Sequence, residues 1–110
     1  WSNYFLCGYK AALALDTQVP NPKGLLVLVD SLVPVASGVS SSSALTVCAA
    51  VLAAHANQVN VSRSKLADLC VQAERMAGTA CGGMDQTISL MAEKGKAKLI
   101  EFKPEKGKAK

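Results

Sequence analysis

The segment Pro34-Val35-Ala36-Ser37-Gly38-Val39-Ser40-Ser41-Ser42-Ser43 constrains this chain more than any other. It stands between an apolar run at 25–30 and an Ala-rich stretch at 44–56 that reads as a helix. Glycine and four consecutive hydroxyls at a helix start form an anion trap. The first helical turn has N–H groups with no internal partner, and its dipole adds roughly half a positive charge. Gly38 has no Cβ, so a ligand can approach its backbone closely. The serines add donors, and oxygens able to face a metal. The arrangement suits a phosphate. On these residues alone, a Ser-rich linker with one N-cap stays open as the plainer alternative. A linker is nevertheless out of place between two strongly apolar segments. No Gly-Lys-Ser or Gly-Lys-Thr occurs, so a phosphate held here is not held by a Walker loop.

The 110 residues suffice for one modest domain. Half of them are hydrophobic and only 5% aromatic, so small apolar side chains must build the core by close packing. The net charge of +4 hints at nucleic acid, but seven of the twelve basic residues fall between Lys94 and Lys110 with no aromatic series among them. That distribution reads as a solvated tail, with residues 105–110 unstructured, and not as a nucleic-acid surface. Cys7, Cys48, Cys70 and Cys81 lack paired metal spacing and His55 stands alone, which excludes an ordinary zinc site. Cys48 and Cys70 fall at apolar helical positions and read as buried thiols. No segment here reads as a signal peptide, and the apolar stretch at 44–54 is too short to cross a bilayer. These features fit a reducing, cytoplasmic setting without membrane attachment.

Helical patterns cover about residues 4–15, 41–55, 63–77 and 84–93, and strand-like runs cover 25–30 and 97–102. Ser62 is an N-cap candidate for the third helix, with Leu66, Leu69, Cys70, Ala73 and Ala77 at helical spacing and Gly78 as the stop. The order helix, strand, helix, helix, helix, strand predicts an α+β (α/β-like) fold, a mixed sheet with packed helices. The chain begins at Trp1 without an initiator Met, and it reads as an internal fragment in which residues 1–104 are part of one domain. Glu93-Lys94-Gly95-Lys96-Ala97-Lys98 recurs unchanged at 105–110, a copy too short for a solenoid.

Four segments in order carry a family resemblance. The serine loop is similar to the Pro-Xaa-Xaa-Xaa-Gly-Leu-Ser-Ser-Ser signature of the GHMP kinases, with Val39 in place of Leu. Gly82-Gly83-Met84-Asp85-Gln86 resembles the segment holding the catalytic aspartate in the sugar-kinase branch, and Ala73-Glu74-Arg75 resembles its metal-binding glutamate region. Trp1-Ser2-Asn3-Tyr4 looks like the Trp-Xaa-Asn-Tyr that begins a helix beside the adenine pocket of galactokinases. The 4–10, 83–89 and 97–102 segments look most like the N-acetylgalactosamine kinase subgroup, whereas Cys81-Gly82 looks more like true galactokinases.

The resemblance implies part of an N-terminal, ATP-binding kinase domain with ATP and Mg²⁺ as cofactors. Asp85 is then the catalytic base for the anomeric hydroxyl. Gly38, Ser40, Ser41 and Ser42 cradle the phosphates, Ser42 and Glu74 hold the metal, and Trp1 lines the adenine site. Ser43 fills a small-residue position. From position alone, Asp85 is equally well a first-turn acid on the helix dipole and Glu74 a solvent-facing helix residue. The implied reaction is ATP-dependent phosphorylation of N-acetylgalactosamine or galactose to the sugar 1-phosphate, by a monomer when full-length and not by this fragment alone. A sugar- and ATP-binding sensor acting through protein contacts without turnover is the alternative. Mevalonate-like or homoserine-like acceptors fit less well with Gly-Gly-Met-Asp-Gln.

Overall fold

A computed structural model describes residues 2–14, 22–79 and 81–102. Four helices follow one another: α1 (Ser2–Ala14), α2 (Ser41–Ala56), α3 (Arg63–Met76) and α4 (Met84–Met91). Their core is made largely of alanines, with Ala11, Ala12, Ala50, Ala53, Ala54 and Ala67 surrounding Val47, Leu66, Cys70 and Leu90. Side chains this small let helix backbones approach closely. At the α1–α2 crossing, a Cβ on Gly8 would run into the Thr46 carbonyl and lie 2.9 Å from the Ala50 nitrogen. Only glycine fits there.

The helix ends follow local chemistry. Ser62 caps α3, its Oγ accepting the Lys65 N–H at 3.2 Å. Gly78 closes α3 in the left-handed region (φ 95°). The Gly78 N–H donates to the Arg75 carbonyl and the Thr79 N–H to the Glu74 carbonyl, the paired hydrogen bonds of a glycine helix stop. The same pair closes α2, where Gln58 and Val59 N–H groups donate to the His55 and Ala54 carbonyls. There the left-handed residue is Gln58, at φ 55°.

The expected mixed sheet does not form. No described residue is in a strand, and the fold among them is all-helical. In residues 25–29 the side chains alternate as a strand's would: Leu26 and Leu28 are fully exposed, while Val27 and Val29 are more covered. A strand, however, is completed by a neighbouring backbone, and β-propensity measures fit to such a surface more than intrinsic preference. No backbone ladder reaches 25–30 or 97–102 among the described residues. Cys48 is a second correction. It is exposed, whereas Cys70 is fully buried. Because α2 is apolar on every side, its sequence does not reveal which face turns inward. Trp1, Leu15 and the tail at 105–110 lie outside the described residues. Among the described residues, no helix is long and apolar enough to cross a membrane.

Candidate functional site

The serine loop enters α2 through alternating backbone signs. Ala36, Gly38 and Ser40 all have positive φ, at 57°, 81° and 60°. Gly38 takes this conformation without penalty, and nothing lies within 4 Å of where its Cβ would be. Ser40 is the residue that caps α2, but its side chain makes no capping hydrogen bond. Its carbonyl instead accepts the Ala44 N–H at 3.0 Å. The first-turn N–H groups of Ser41, Ser42 and Ser43 have no intrahelical acceptor, as at every helix start. Ser40, Ser41 and Ser42 are half-buried and Ser43 is buried, so the first three stand where a ligand can reach them. A cleft of about 590 Å³ opens beside Ser41 and Ser42, between α1, α2 and residues 27–35. Tyr4, Phe5, Val29 and Leu45 are among its mainly apolar lining. Trp1, assigned to the adenine site by resemblance, lies outside the described residues. A larger groove of about 670 Å³ between α1 and α3, edged by Lys10 and Gln72, is lined by none of the predicted site residues that are described.

Glu74 is the surprise of α3. It is 1% exposed, at the end of the inward stripe Leu66, Ala67, Cys70, Val71. The periodicity that buries Leu66 and Cys70 buries Glu74 four residues later, so the solvent-facing alternative is excluded. Its Oε2 accepts a hydrogen bond from Gln86 Nε2 at 2.8 Å, and its Oε1 is buried with no partner. The nearby thiols register this charge. Burial first, and then Glu74, push Cys70 up to about 12 and raise Cys7 as well, where Lys10 opposes the shift.

Asp85 stands in the first turn of α4, half-buried, with no hydrogen bond or ion pair to its carboxylate among the described residues. Gly83, at φ 97°, precedes the helix, and a Cβ there would press on Val71 at 3.2 Å. α3 holds this turn at two points. Arg75 Nε donates to the Cys81 carbonyl at 3.0 Å, and Glu74 receives Gln86. Glu74 and the α4 start are thus brought together. No hydrogen bond or ion pair joins the serine loop to either of them among the described residues. Gln86 and Arg75 are site residues that the sequence reading passed over. For Gln86 the signal was present, since it lies one turn before buried Leu90 on the same face of α4.

Glu74 and Ser42 supply hard oxygens only, and no group of three His, Cys, Asp or Glu residues able to hold a metal occurs among the described residues. Glu74, a buried carboxylate with one orphaned oxygen, is the kind of hard donor that a cation such as Mg²⁺ takes; the Ser42 hydroxyl at the start of α2 is another, and no contact joins the two among the described residues.

The family model for the GHMP kinases N terminal domain matches residues 3–93. The chain belongs to the GHMP kinase family. Among relatives of this GHMP kinase chain, a galactokinase from Dictyostelium discoideum is 42% identical over 94% of the chain. Galactokinases from Saccharomyces cerevisiae and Homo sapiens are each 37% identical, over 96% and 92% of it. The chain spans 21%, 22% and 25% of the lengths of these three relatives. No solved structure matches it.

Proposed function

We propose that this chain is the nucleotide-binding part of a sugar kinase, transferring the γ-phosphoryl group of ATP to the anomeric hydroxyl of galactose or N-acetylgalactosamine. The observation that carries the reading is the buried Glu74, hydrogen-bonded through Gln86 to the helix that presents Asp85. A fold that buries a carboxylate with one unpaired oxygen keeps it at a cost, and such sites concentrate where chemistry is done. Family membership and the galactokinase relatives support the same reaction class. Four free cysteines suit the cytoplasmic setting proposed for it.

Each residue has a role in this reading. The α2 N-terminus and the hydroxyls of Ser40, Ser41 and Ser42 bind the ATP phosphates, Gly38 permits their close approach, and the apolar cleft beside them accepts the base. Ser42 and Glu74 would hold Mg²⁺, which would neutralise phosphate charge. Asp85 accepts the proton of the anomeric hydroxyl as that oxygen bonds to the γ-phosphorus, and the bond to the β-phosphate oxygen breaks to release ADP. Its free carboxylate is available for this work.

The test is formation of sugar 1-phosphate from ATP by the full-length protein, with galactose and N-acetylgalactosamine compared by kcat/KM. Asp85→Asn should lower kcat by about 10²–10⁴-fold. Turnover within a few-fold of wild type would remove Asp85 from the role of base. Tight binding of sugar and ATP by wild type without any turnover would point instead to a sensor.

A further inference from the structure

We infer that Gln86 is a positioning residue for phosphoryl transfer, holding Asp85 and Glu74 in a fixed relation through its buried amide; this rests on the kinase reading above. α4 supplies few polar anchors of its own. The helix has only eight residues, its N-cap Gly83 offers no side-chain hydrogen bond, and its buried residues are Gln86 and Leu90. An eight-residue helix is marginal without tertiary packing. Among the described residues, its fully buried polar contact to α3 is the Gln86–Glu74 hydrogen bond.

Chemistry fixes how that amide is oriented. A carboxylate only accepts, so the side facing Glu74 Oε2 must be the NH₂ group of Gln86. Gln86 Nε2 also lies 3.8 Å from Cys81 Sγ, which ties the turn before Asp85 to the same amide. Gln86 therefore touches three parts of the site: the proposed metal carboxylate, the turn at 81–83, and the helix bearing Asp85. Asp85, next in sequence, projects about 100° around the helix from Gln86. Half-buried and without a partner among the described residues, its carboxylate takes its position from the helix. Gln86 binds neither sugar nor nucleotide in this scheme. It sets the distance between the groups that do.

The experiment compares Gln86→Met with Leu90→Ala in the full-length protein. The first removes the hydrogen bond at nearly constant length, and the second weakens the same face of α4 while leaving the bond intact. Two readouts are taken: steady-state kinetics with ATP and galactose, and hydrogen exchange of the backbone amides at 81–88. For Gln86→Met we expect kcat to fall at least tenfold with both KM values within threefold, and exchange at 81–88 to rise at least tenfold while α1 and α2 are unchanged. Leu90→Ala, at a temperature where it is equally folded, should keep kcat within threefold. Equal kcat losses in the two variants would reduce Gln86 to a structural residue and overturn the inference. Unchanged exchange at 81–88 in Gln86→Met would overturn it too, even if wild type proves not to be a kinase, a failure that the wild-type assay shows separately.

Discussion

Gln86 Nε2 donates to Glu74 Oε2 at 2.8 Å inside a core made mostly of alanine. The bond joins α4 to α3 and leaves two oxygens, Glu74 Oε1 and Gln86 Oε1, buried without partners. An unpaired buried acceptor costs about 1–3 kcal/mol, so two on one bonded pair of residues are kept at a cost to folding. Gln86 follows Asp85 in α4, so under the function proposed above it is phosphoryl transfer that this cost serves.

Glu74→Gln and Glu74→Ala should therefore part company in stability while agreeing in activity. The amide keeps an oxygen to accept from Gln86 and removes a buried charge, which should leave the protein unchanged or stabilise it by about 1–3 kcal/mol. The alanine opens a cavity and orphans the Gln86 amide, costing about 2–4 kcal/mol. Under the proposed metal role of Glu74 both should lower kcat by at least tenfold, because neither would present a carboxylate to Mg²⁺. Chemical denaturation and a steady-state assay check this. A marked loss of stability in Glu74→Gln would show that the carboxylate belongs to the structure.

Ser40 and Gln58 both sit in left-handed backbone, at φ 60° and 55°. A side chain there costs roughly 1–2 kcal/mol relative to glycine, partly offset by the greater freedom of glycine in the unfolded chain. Ser40→Gly and Gln58→Gly should each stabilise by about 0.5–1 kcal/mol. Only Ser40→Gly should raise KM for ATP, since Gln58 belongs to the helix stop after α2 and Ser40 to the proposed phosphate cradle. Equal KM values in the two variants would take the Ser40 hydroxyl out of the cradle.

All four helices were legible in the sequence because their signals are local: the Ser62 cap, the Gly78 stop, Gly83 ahead of Met84. The sheet was misread for the opposite reason. The residues of 25–30 have the composition of a buried strand, but pairing depends on backbone elsewhere, which composition does not supply. Family resemblance is what singles out Glu74 as a proposed metal ligand. Its burial was legible from the spacing Leu66, Cys70, Glu74, although its charge argued for solvent. Gln86 stands in the same Gly-Gly-Met-Asp-Gln motif as Asp85, and only the contact with Glu74 gives it a role.

Gly8→Ala tests the close α1–α2 crossing. In an exposed helix this change would stabilise by about 0.5–1 kcal/mol. At this site the added methyl meets the Thr46 carbonyl and the Ala50 nitrogen, which are backbone atoms of a long helix and cannot swing aside. Overpacking of this kind costs about 1–3 kcal/mol and should win, giving a net loss near 1–2 kcal/mol in thermal unfolding. A gain would mean that the two helices can separate at no cost.

Cys70 makes stability depend on pH in a defined window. Burial, and then the Glu74 charge, push its thiol from 9.0 to about 12 in the folded chain. Unfolded, the thiol ionises near 9, so between these values the unfolded chain has released a proton that the fold retains. The contribution is complete below pH 9 and is lost as pH rises towards 12, by at most about 1.4 kcal/mol per pH unit. Cys70→Ala lowers stability outright by creating a small cavity, but it should flatten the decline above pH 9 by that one proton. Urea unfolding of both proteins between about pH 8 and 11 separates the two effects. A maleimide at neutral pH gives a second reading, reacting first at exposed Cys48 and leaving Cys70 untouched until the protein unfolds. Parallel pH slopes with and without the thiol would mean that Cys70 ionises as readily folded as unfolded.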